Sequence, residues 1–426
     1  MSGQFAVIAA TVIMLVFIFS KVPVFIAVLS ASLSYFALNP SASIFFAAQR
    51  ITSGLESVSL LACPFFIMAG VFFNYTGVTE RLVDFCSLLT GRMTGGLAQA
   101  NILLSTIMGG MSGSSNADAG MQAKILCPPM ERSGHSKPFA TVITAFSSNI
   151  TPLIPPGIGI ILYGTLSGAS IGKLFMWGLV IGLIMCVAMI LVTEVIAKRR
   201  GYKPYLKKGP SFKEILAVLK RTWPALALPV LIIGSIRIGI VSASEAGAVA
   251  VVYALVLGFV WREMNWEKIK MGMKESAVAI GSLMLIIATA SIYSWILTKE
   301  MLPQKLANIM LGHVSNKYMF LLITNLFLII VGMLMEGASA TIILVPLLAP
   351  IASAYGIDLV HFGLIVVFNM AIGGVTPPIG TLMFVTCGIT GCKIKDFIKE
   401  GIPYYIFMFV ILFLITYVPF TFSFLY

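Results

Sequence analysis

Long apolar segments separated by short polar stretches run along the chain, and their lengths predict membrane-spanning helices. A helix needs about 20 mostly apolar residues to cross the hydrocarbon core of a bilayer. Ten segments approximate that length, near residues 4–20, 22–38, 58–76, 137–164, 171–197, 223–241, 243–262, 281–298, 361–389 and 402–424. The pattern therefore predicts an all-α polytopic membrane protein with about ten spans.

Four further segments have a different pattern. The apolar regions 93–133 and 318–353 are each interrupted in the middle by small polar residues, so each predicts a re-entrant hairpin of two half-helices joined at a tip. The stretches 41–56 and 264–280 are shorter and of mixed polarity. They predict amphipathic helices that lie along the membrane interface.

The composition supports a membrane protein and argues against several other classes. The 426 residues are 59% hydrophobic and 10% charged, whereas a soluble domain has about 25% charged residues. No phosphate-binding loop of the form GxxxxGK[ST] occurs, so we do not expect direct ATP coupling. The six cysteines and three histidines form no metal-ligand pattern, and no nucleophile–base cluster is visible. We therefore expect neither an enzyme nor a transition-metal centre.

The basic residues indicate orientation rather than a nucleic-acid surface. Residues 199–222 form a strongly basic linker between two apolar halves. With this linker in the cytoplasm, 21 of the 28 Lys and Arg residues fall on the cytoplasmic side and six on the other. Cytoplasmic loops of membrane proteins are enriched in Lys and Arg, so the net charge of +12 reflects topology. The same count predicts that both termini lie outside.

The two halves of the chain repeat each other. The segment "SSNITPLIPPG" contains Thr151-Pro152, and "IGGVTPPIG" contains Thr376-Pro377, at an offset of 225 residues. The same offset carries Ser114 of the tip "MSGSSNADAG" onto Ser339 in "MEGASATIIL". Five spans precede the linker, and an odd number inverts the second half relative to the first. Inverted repeats with interruptions at matching positions are typical of secondary transporters.

The repeat divides the chain into parts with expected roles. The first inverted repeat is 1–198, with a scaffold over 1–57 and a transport part over 58–198 that contains hairpin 93–133. After the linker, the second repeat is 223–426, with a scaffold over 223–280 and a transport part over 281–426 that contains hairpin 318–353. The two transport parts are expected to move together against the two scaffolds.

Four interruptions lie at membrane depth, namely the two tips and the two Thr-Pro breaks. Backbone groups there cannot stay unpaired in lipid, so ions, water or protein must satisfy them. Free carbonyl and hydroxyl oxygens suit a hard monovalent cation, and we predict two Na⁺ sites, each between a tip and its break. The first uses Ser112, Ser115, Thr151, Ile154 and Pro156, and the second uses Gly337, Thr376, Ile379 and Thr381.

Polar and charged residues near the tips are candidates for contacts with a substrate. Intramembrane charges are costly and usually functional. We predict an anionic substrate in contact with Ser114, Asn116, Asp118 and Lys299, with Glu336 balancing the charge of the lysine. An alternative interpretation is that Lys299 extends to the interface without touching a ligand.

The motifs resemble those of the large membrane subunit of tripartite ATP-independent periplasmic (TRAP) transporters over essentially the whole chain. These motifs are "GxSGSSxADA" at 110–119, "TPLIPP" at 151–156, "ILYG" at 161–164, "SEAGA" at 244–248 and "TPPIG" at 376–380. One departure is Gly157, which follows the double proline where a serine is common.

The resemblance implies an elevator-type carrier in the bacterial inner membrane that takes up a small organic anion with Na⁺, with both termini periplasmic. It also implies two partners, a small four-helix membrane subunit (Q type) and a periplasmic substrate-binding protein (P type). The first tip is most similar to the sialic acid branch. Alternatives are a C4-dicarboxylate or other carboxylate TRAP permease, a stand-alone Na⁺/dicarboxylate carrier and, less favoured, an ion channel.

Overall fold

The computed structural model describes residues 3–20, 22–206, 211–314 and 316–418, and within these ranges the regular structure is entirely helical. In chain order the helices are α1 Gly3–Phe19, α2 Val24–Leu38, α3 Phe45–Leu55, α4 Ala62–Phe73, α5 Val78–Thr90, α6 Gly96–Ser112, α7 Ser115–Ile125, α8 Cys127–Arg132, α9 Lys137–Ser147, α10 Ile158–Ser167, α11 Ile171–Arg199, α12 Phe212–Arg237, α13 Ala243–Val260, α14 Trp266–Lys299, α15 Leu302–His313, α16 Lys317–Leu334, α17 Gly337–Ala354, α18 Leu359–Val375, α19 Thr381–Thr390 and α20 Ile394–Tyr417. A short 3₁₀ turn, Val58–Leu61, precedes α4. The predicted all-α class is confirmed.

Many of these helices are long and apolar enough to cross a bilayer. Seven described helices meet that requirement, and an eighth span results if α3 and the segment that ends with α4 count as one bent helix. Shorter apolar helices include α1, α2, α10, α18 and α19. A protein with several membrane spans is therefore confirmed, whereas ten crossings and an inverted second half stay predictions. Part of the basic linker (207–210), Lys21 and the end of the last predicted span (419–424) lie outside the described residues.

The helix order repeats at an offset close to 225 residues. Helices α9, α10 and α11 recur as α18, α19 and α20, and the interrupted pair α6–α7 recurs as α16–α17. The contacts between the two halves are reciprocal. Helix α7 of the first half packs against α19 of the second, and α17 of the second half packs against α10 of the first. Likewise α4 packs against α13, and α14 packs against α2. A pseudo-two-fold arrangement of two similar halves gives these reciprocal contacts.

One element differs from the sequence prediction. Residues 264–280 were expected to form a separate interfacial helix, but α14 runs without a break from Trp266 to Lys299. In the first half, the matching segment bends by 58° between α3 and the helical segment Val58–Phe73. Pro64 lies just after that bend, and a proline ring disrupts the helical turn that precedes it. Its counterpart is Thr289, which allows the helix to continue, so the predicted boundary at residue 280 falls inside a single helix.

The four interruptions are local breaks between helices. At the first tip, α6 ends at Ser112 and α7 begins at Ser115, and Gly113 takes a left-handed conformation with φ of 59°. The second tip separates α16 from α17 by two residues. Ten residues separate α9 from α10, and five separate α18 from α19. No continuous helix therefore passes through Thr151-Pro152 or Thr376-Pro377.

Candidate functional site

A cavity of about 110 Å³ lies where the N-terminal ends of four helices meet. Helices α7 and α17 supply the residues at the two tips, and α10 and α19 supply the first residues after the two breaks. These ends contribute Gly113, Ser114, Ser115, Asn116, Ile158, Gly159, Glu336, Gly337, Ala338, Thr381 and Leu382 to the cavity wall. Each half of the chain therefore provides one tip and one break.

In the described lining of this cavity, helix ends rather than basic side chains supply positive partial charge. The first N–H groups of a helix have no partner within the helix, and the helix dipole places partial positive charge at that end. Such ends bind carboxylate and phosphate groups readily. None of the described residues that line this cavity is Lys, Arg or His. An anion bound here would be held by helix ends and hydroxyl groups.

A second cavity of about 350 Å³ adjoins the first. The two share Ser114, Ile158, Glu336 and Ala338, and the outer wall of the second comes from α4 and α14. The α14 residues that line it fall between Glu275 and Ile286. This cavity connects the site at the helix ends with the space beside α4 and α14.

Glu336 is the one carboxylate among the described residues that line the first cavity, and it also lines the second. It occupies the N-cap position of α17, yet its side chain accepts no capping hydrogen bond. The carboxylate therefore opens into the cavities. A negative charge at this place disfavours a bound anion unless cations are bound as well.

The residues predicted for the first Na⁺ site come together around tip 1 and break 1. Ser112 is buried, and its hydroxyl has no hydrogen-bond partner in the described structure. The Ile158 N–H donates a long hydrogen bond of 3.4 Å to the Gly113 carbonyl. A Cβ atom added to Gly113 would lie 2.6 Å from the carbonyl oxygen of Pro156, which shows how closely tip and break approach. Ile154 is buried, and its side chain packs against Gly109 of α6.

The second predicted site has a similar tip-to-break contact. The N–H groups of Ile379 and Gly380 donate to the Met333 carbonyl over 3.3 and 3.2 Å, joining break 2 to the end of α16. The Thr376 hydroxyl donates to the Ile372 carbonyl over 2.6 Å. Gly337 and Thr381 both line the first cavity. The backbone carbonyl groups around both breaks are therefore close to the cavity that an anion would occupy.

Asp118 does not line either cavity, which differs from its predicted contact with a substrate. It is 1% exposed and accepts hydrogen bonds from the Gln122 amide (2.7 Å) and the Thr151 hydroxyl (3.0 Å). These hydrogen-bond partners place it on the side of α7 that packs against α6 and α9. The structure therefore connects Asp118 with break 1 and the first predicted Na⁺ site rather than with the cavity.

Lys299 is also separate from the cavity and from Glu336. It is an exposed residue at the C-terminal end of α14, with its ammonium nitrogen 5.1 Å from the ring centre of Trp295. Because α14 continues as one helix, Lys299 lies about 20 Å beyond Ile286, the last α14 residue of the second cavity. The predicted balance of charge between Lys299 and Glu336 is therefore wrong. The alternative, an interfacial lysine that touches no ligand, stays a prediction that fits its exposed position at the end of α14.

Several residues of the site were not singled out in the sequence. Ile158 and Thr341 line the first cavity, and the Met333 carbonyl joins tip 2 to break 2. Asn149 belongs to the quoted motif at break 1, and both of its buried amide atoms have no partner among the described residues. An amide three residues before Pro152, in an apolar segment, was the available signal for Asn149. A backbone carbonyl such as that of Met333 leaves no signal in the sequence.

Comparisons with known proteins agree with this architecture. The family described as "Tripartite ATP-independent periplasmic transporter, DctM component" matches residues 11–421. The sialic acid TRAP transporter large permease protein of Vibrio cholerae is 35% identical over 403 residues, covering 94% of each chain. The C4-dicarboxylate TRAP transporter large permease protein of Pseudomonas aeruginosa is 36% identical over 397 residues, covering 92% of this chain and 91% of the relative.

A solved transporter has a similar fold at low sequence identity. The YdaH transporter of Alcanivorax borkumensis superposes with a TM-score of 0.63, 14% identity and 88% coverage of both chains. That similarity concerns the fold alone. The family match and the two relatives concern nearly the whole chain. The chain belongs to the DctM component family, the large permease subunits of TRAP transporters.

Proposed function

We propose that this chain is the membrane carrier of a Na⁺-coupled system in the bacterial inner membrane, with periplasmic termini, that takes up a small organic anion delivered by a periplasmic binding protein. The observation that supports this most directly is the meeting of four helix N-termini at one cavity. Four positive helix ends, with no Lys, Arg or His among the described residues that line the cavity, suit a ligand that carries a carboxylate.

Coupling to Na⁺ follows from charge balance in the site. A substrate carboxylate and Glu336 would share the joined cavities, and their repulsion favours sites that also hold cations. The free Ser112 hydroxyl and the carbonyl groups at both breaks are oxygen donors of the kind that hard cations prefer. Two Na⁺ ions with one monovalent anion carry one net charge, so 100 mV supplies about 2.3 kcal/mol, or roughly fifty-fold accumulation.

The conformation is best interpreted as inward-facing. The second cavity reaches Glu275 near the N-terminal end of α14, and Lys268, Lys270 and Lys274 lie at the same end. Basic residues favour the cytoplasmic side. An anion in the first cavity would therefore leave through the second cavity toward the cytoplasm.

An elevator movement explains the arrangement of the helices. The tips and breaks pack on each other across the two halves, α7 with α19 and α17 with α10, and they form one body around the first cavity. Helices α4 and α14 border that body at the second cavity. The moving body proposed here is therefore smaller than the predicted transport parts, which include α4 and residues 281–299. Sliding of the body along α4 and α14 would carry the cavity from one membrane face to the other.

The substrate proposed first is sialic acid, because of the first tip, and the second candidate is a C4-dicarboxylate. The first cavity alone is small, so a sugar acid would extend into the second cavity, whereas a dicarboxylate would fit with less of it. The proposed partners are a small four-helix membrane subunit and a periplasmic binding protein. A carrier that works without a binding protein, or a channel, would behave differently in the same assay.

The test is uptake into proteoliposomes that contain this chain with a matching small subunit. Labelled sialic acid or succinate is supplied with its binding protein, with and without an inward Na⁺ gradient. We expect uptake only when both the gradient and the binding protein are present. Uptake without Na⁺ would refute the coupling, uptake without a binding protein would indicate a stand-alone carrier, and currents far above carrier turnover would indicate a channel.

A further inference from the structure

A third cavity, of about 360 Å³, lies at the opposite end of α14 from the second. Its α14 residues fall between Ile287 and Thr298, immediately after those of the second cavity. Across from α14, the cavity is lined by Arg50, Ser53 and Gly54 of α3 and by residues of α10 and α17. The second and third cavities therefore follow one another along the same helix, the third toward its C-terminal end.

The internal repeat relates these two cavities residue by residue. Glu275 of the second cavity is the counterpart of Arg50 in the third, and Ala279 is the counterpart of Gly54, both at an offset of 225. In the other direction, Gly70 and Asn74 of the second cavity correspond to Trp295 and Lys299. The third cavity therefore occupies the place that the second would take if the two halves exchanged their conformations.

The two cavities differ in charge. Around the third, the guanidinium carbon of Arg50 and the ammonium nitrogen of Lys299 lie 6.0 and 5.1 Å from the ring centre of Trp295. The Arg50 Nε atom is buried without a hydrogen-bond partner in the described structure. The nearby Glu300 carboxylate accepts a hydrogen bond from Tyr35. At the equivalent position of the second cavity stands the Glu275 carboxylate, which accepts a hydrogen bond from the Tyr75 hydroxyl over 2.9 Å.

We propose that the third cavity becomes the outer vestibule of the carrier, where Arg50 and Lys299 receive the organic anion in the outward-facing state. This inference rests on the proposed function, since it requires an anionic cargo and a moving transport body. When the body moves outward, the helix ends of the first cavity come level with α14 residues 287–298. The unpaired Arg50 Nε and the ammonium group of Lys299 then face the entering carboxylate.

The difference in charge gives the two openings different tasks. Paired cations at the outer opening raise the local concentration of an anion and its rate of capture. Lys268, Lys270 and Lys274 are not among the described residues that line the second cavity, so within that cavity the Glu275 carboxylate repels the same anion and favours its release. The distance along α14 between Glu275 and Lys299 is about 36 Å, comparable to the thickness of the hydrocarbon core, so the two effects act at different membrane faces.

The test compares charge-neutralised variants in the reconstituted complex. We expect Arg50→Gln and Lys299→Gln each to raise the KM for uptake about fivefold, the effect of about 1 kcal/mol from one charge pair in contact with water. The maximal rate at saturating substrate should change little, and the effect should shrink at high salt. Arg50→Lys should restore a KM near that of the unaltered protein. Lys173→Gln, on an exposed residue of the same predicted face, is the matched control.

Docking of the binding protein is measured separately, as the affinity of the loaded binding protein for the complex in nanodiscs. Unchanged docking together with a raised KM supports the vestibule. Weakened docking, or a KM equal to that of Lys173→Gln, would overturn it. If the unaltered complex shows no Na⁺-dependent uptake, the proposed function itself fails, and that result is recognised before any variant is compared.

Discussion

Replacing Asp118 by Asn tests whether this carboxylate supports the first Na⁺ site or contacts the substrate. Asp118 is buried and accepts two hydrogen bonds, one from Gln122 and one from Thr151, the threonine of break 1. Asparagine keeps nearly the same shape but offers one oxygen instead of two. Its NH₂ group therefore faces either the Gln122 amide, which is also a donor, or the Thr151 hydroxyl, which must then accept instead of donating.

The expected magnitude follows from these contacts. A hydrogen bond to a charged group contributes about 1.5–3 kcal/mol, and the neutral amide weakens both contacts because it removes that charge. If most of that loss acts on the position of Thr151, the affinity for Na⁺ falls by roughly tenfold, because 1.4 kcal/mol corresponds to a factor of ten. The second site should be less affected, since the counterpart of Asp118 there is the apolar Ile343.

The assay is uptake as a function of Na⁺ concentration, followed by substrate titration at saturating Na⁺. Asp118→Asn should raise the half-saturating Na⁺ concentration and leave the substrate KM at saturating Na⁺ near its original value. Asp84→Asn, the same change at an exposed position of α5, should alter neither quantity. An unchanged Na⁺ dependence together with a higher substrate KM would show that Asp118 contacts the substrate instead.

Three further variants test separate features. Ser112→Ala removes a buried hydroxyl without a described partner, so the Tm measured without Na⁺ should stay the same. The rise in Tm on adding Na⁺ should become smaller, and an undiminished rise would exclude Ser112 as a ligand. Gly373→Ala places a Cβ against the backbone of Gly332 and should lower the free energy of unfolding by about 1–3 kcal/mol. Gly388→Ala faces open space and should not lower it, so equal Tm values for the two variants would contradict the close helix contact. Burial lowers the pKa of His135, which lies outside the predicted spans. Protonation of this histidine therefore favours the unfolded state, and stability is lost as the pH falls through about 6.5. His135→Phe should flatten that decrease in Tm, and an unchanged pH dependence would argue against it.

The repeat and its interruptions could be predicted because they leave direct traces in the sequence. Proline removes a backbone donor and disrupts the preceding helical turn, so the Thr-Pro breaks stand out in apolar surroundings. Small polar residues such as those at 112–116 are expensive in lipid, and they mark the first tip. The same reasoning could have been applied to Pro64, whose counterpart Thr289 permits the unbroken helix α14.

The positions of individual charges could not be predicted in the same way. Lys299 follows an apolar segment just as a binding-site lysine would, and only the unbroken length of α14 places it far from Glu336. The orientation of α7 decides that Ser115 lines the cavity, whereas Asp118 is buried in the protein interior beside break 1. These outcomes depend on how helices from distant parts of the chain pack together. The sequence pattern of one segment does not contain that information.

The most direct measurement is a density map of the complex with Na⁺ and the transported anion bound, at a resolution that resolves ions. We expect the substrate carboxylate within hydrogen-bond distance of first-turn N–H groups of α7 and α17, with an ion between each tip and its break. An anion bound against Lys or Arg side chains elsewhere, with the space between the four helix ends empty, would contradict the proposed site.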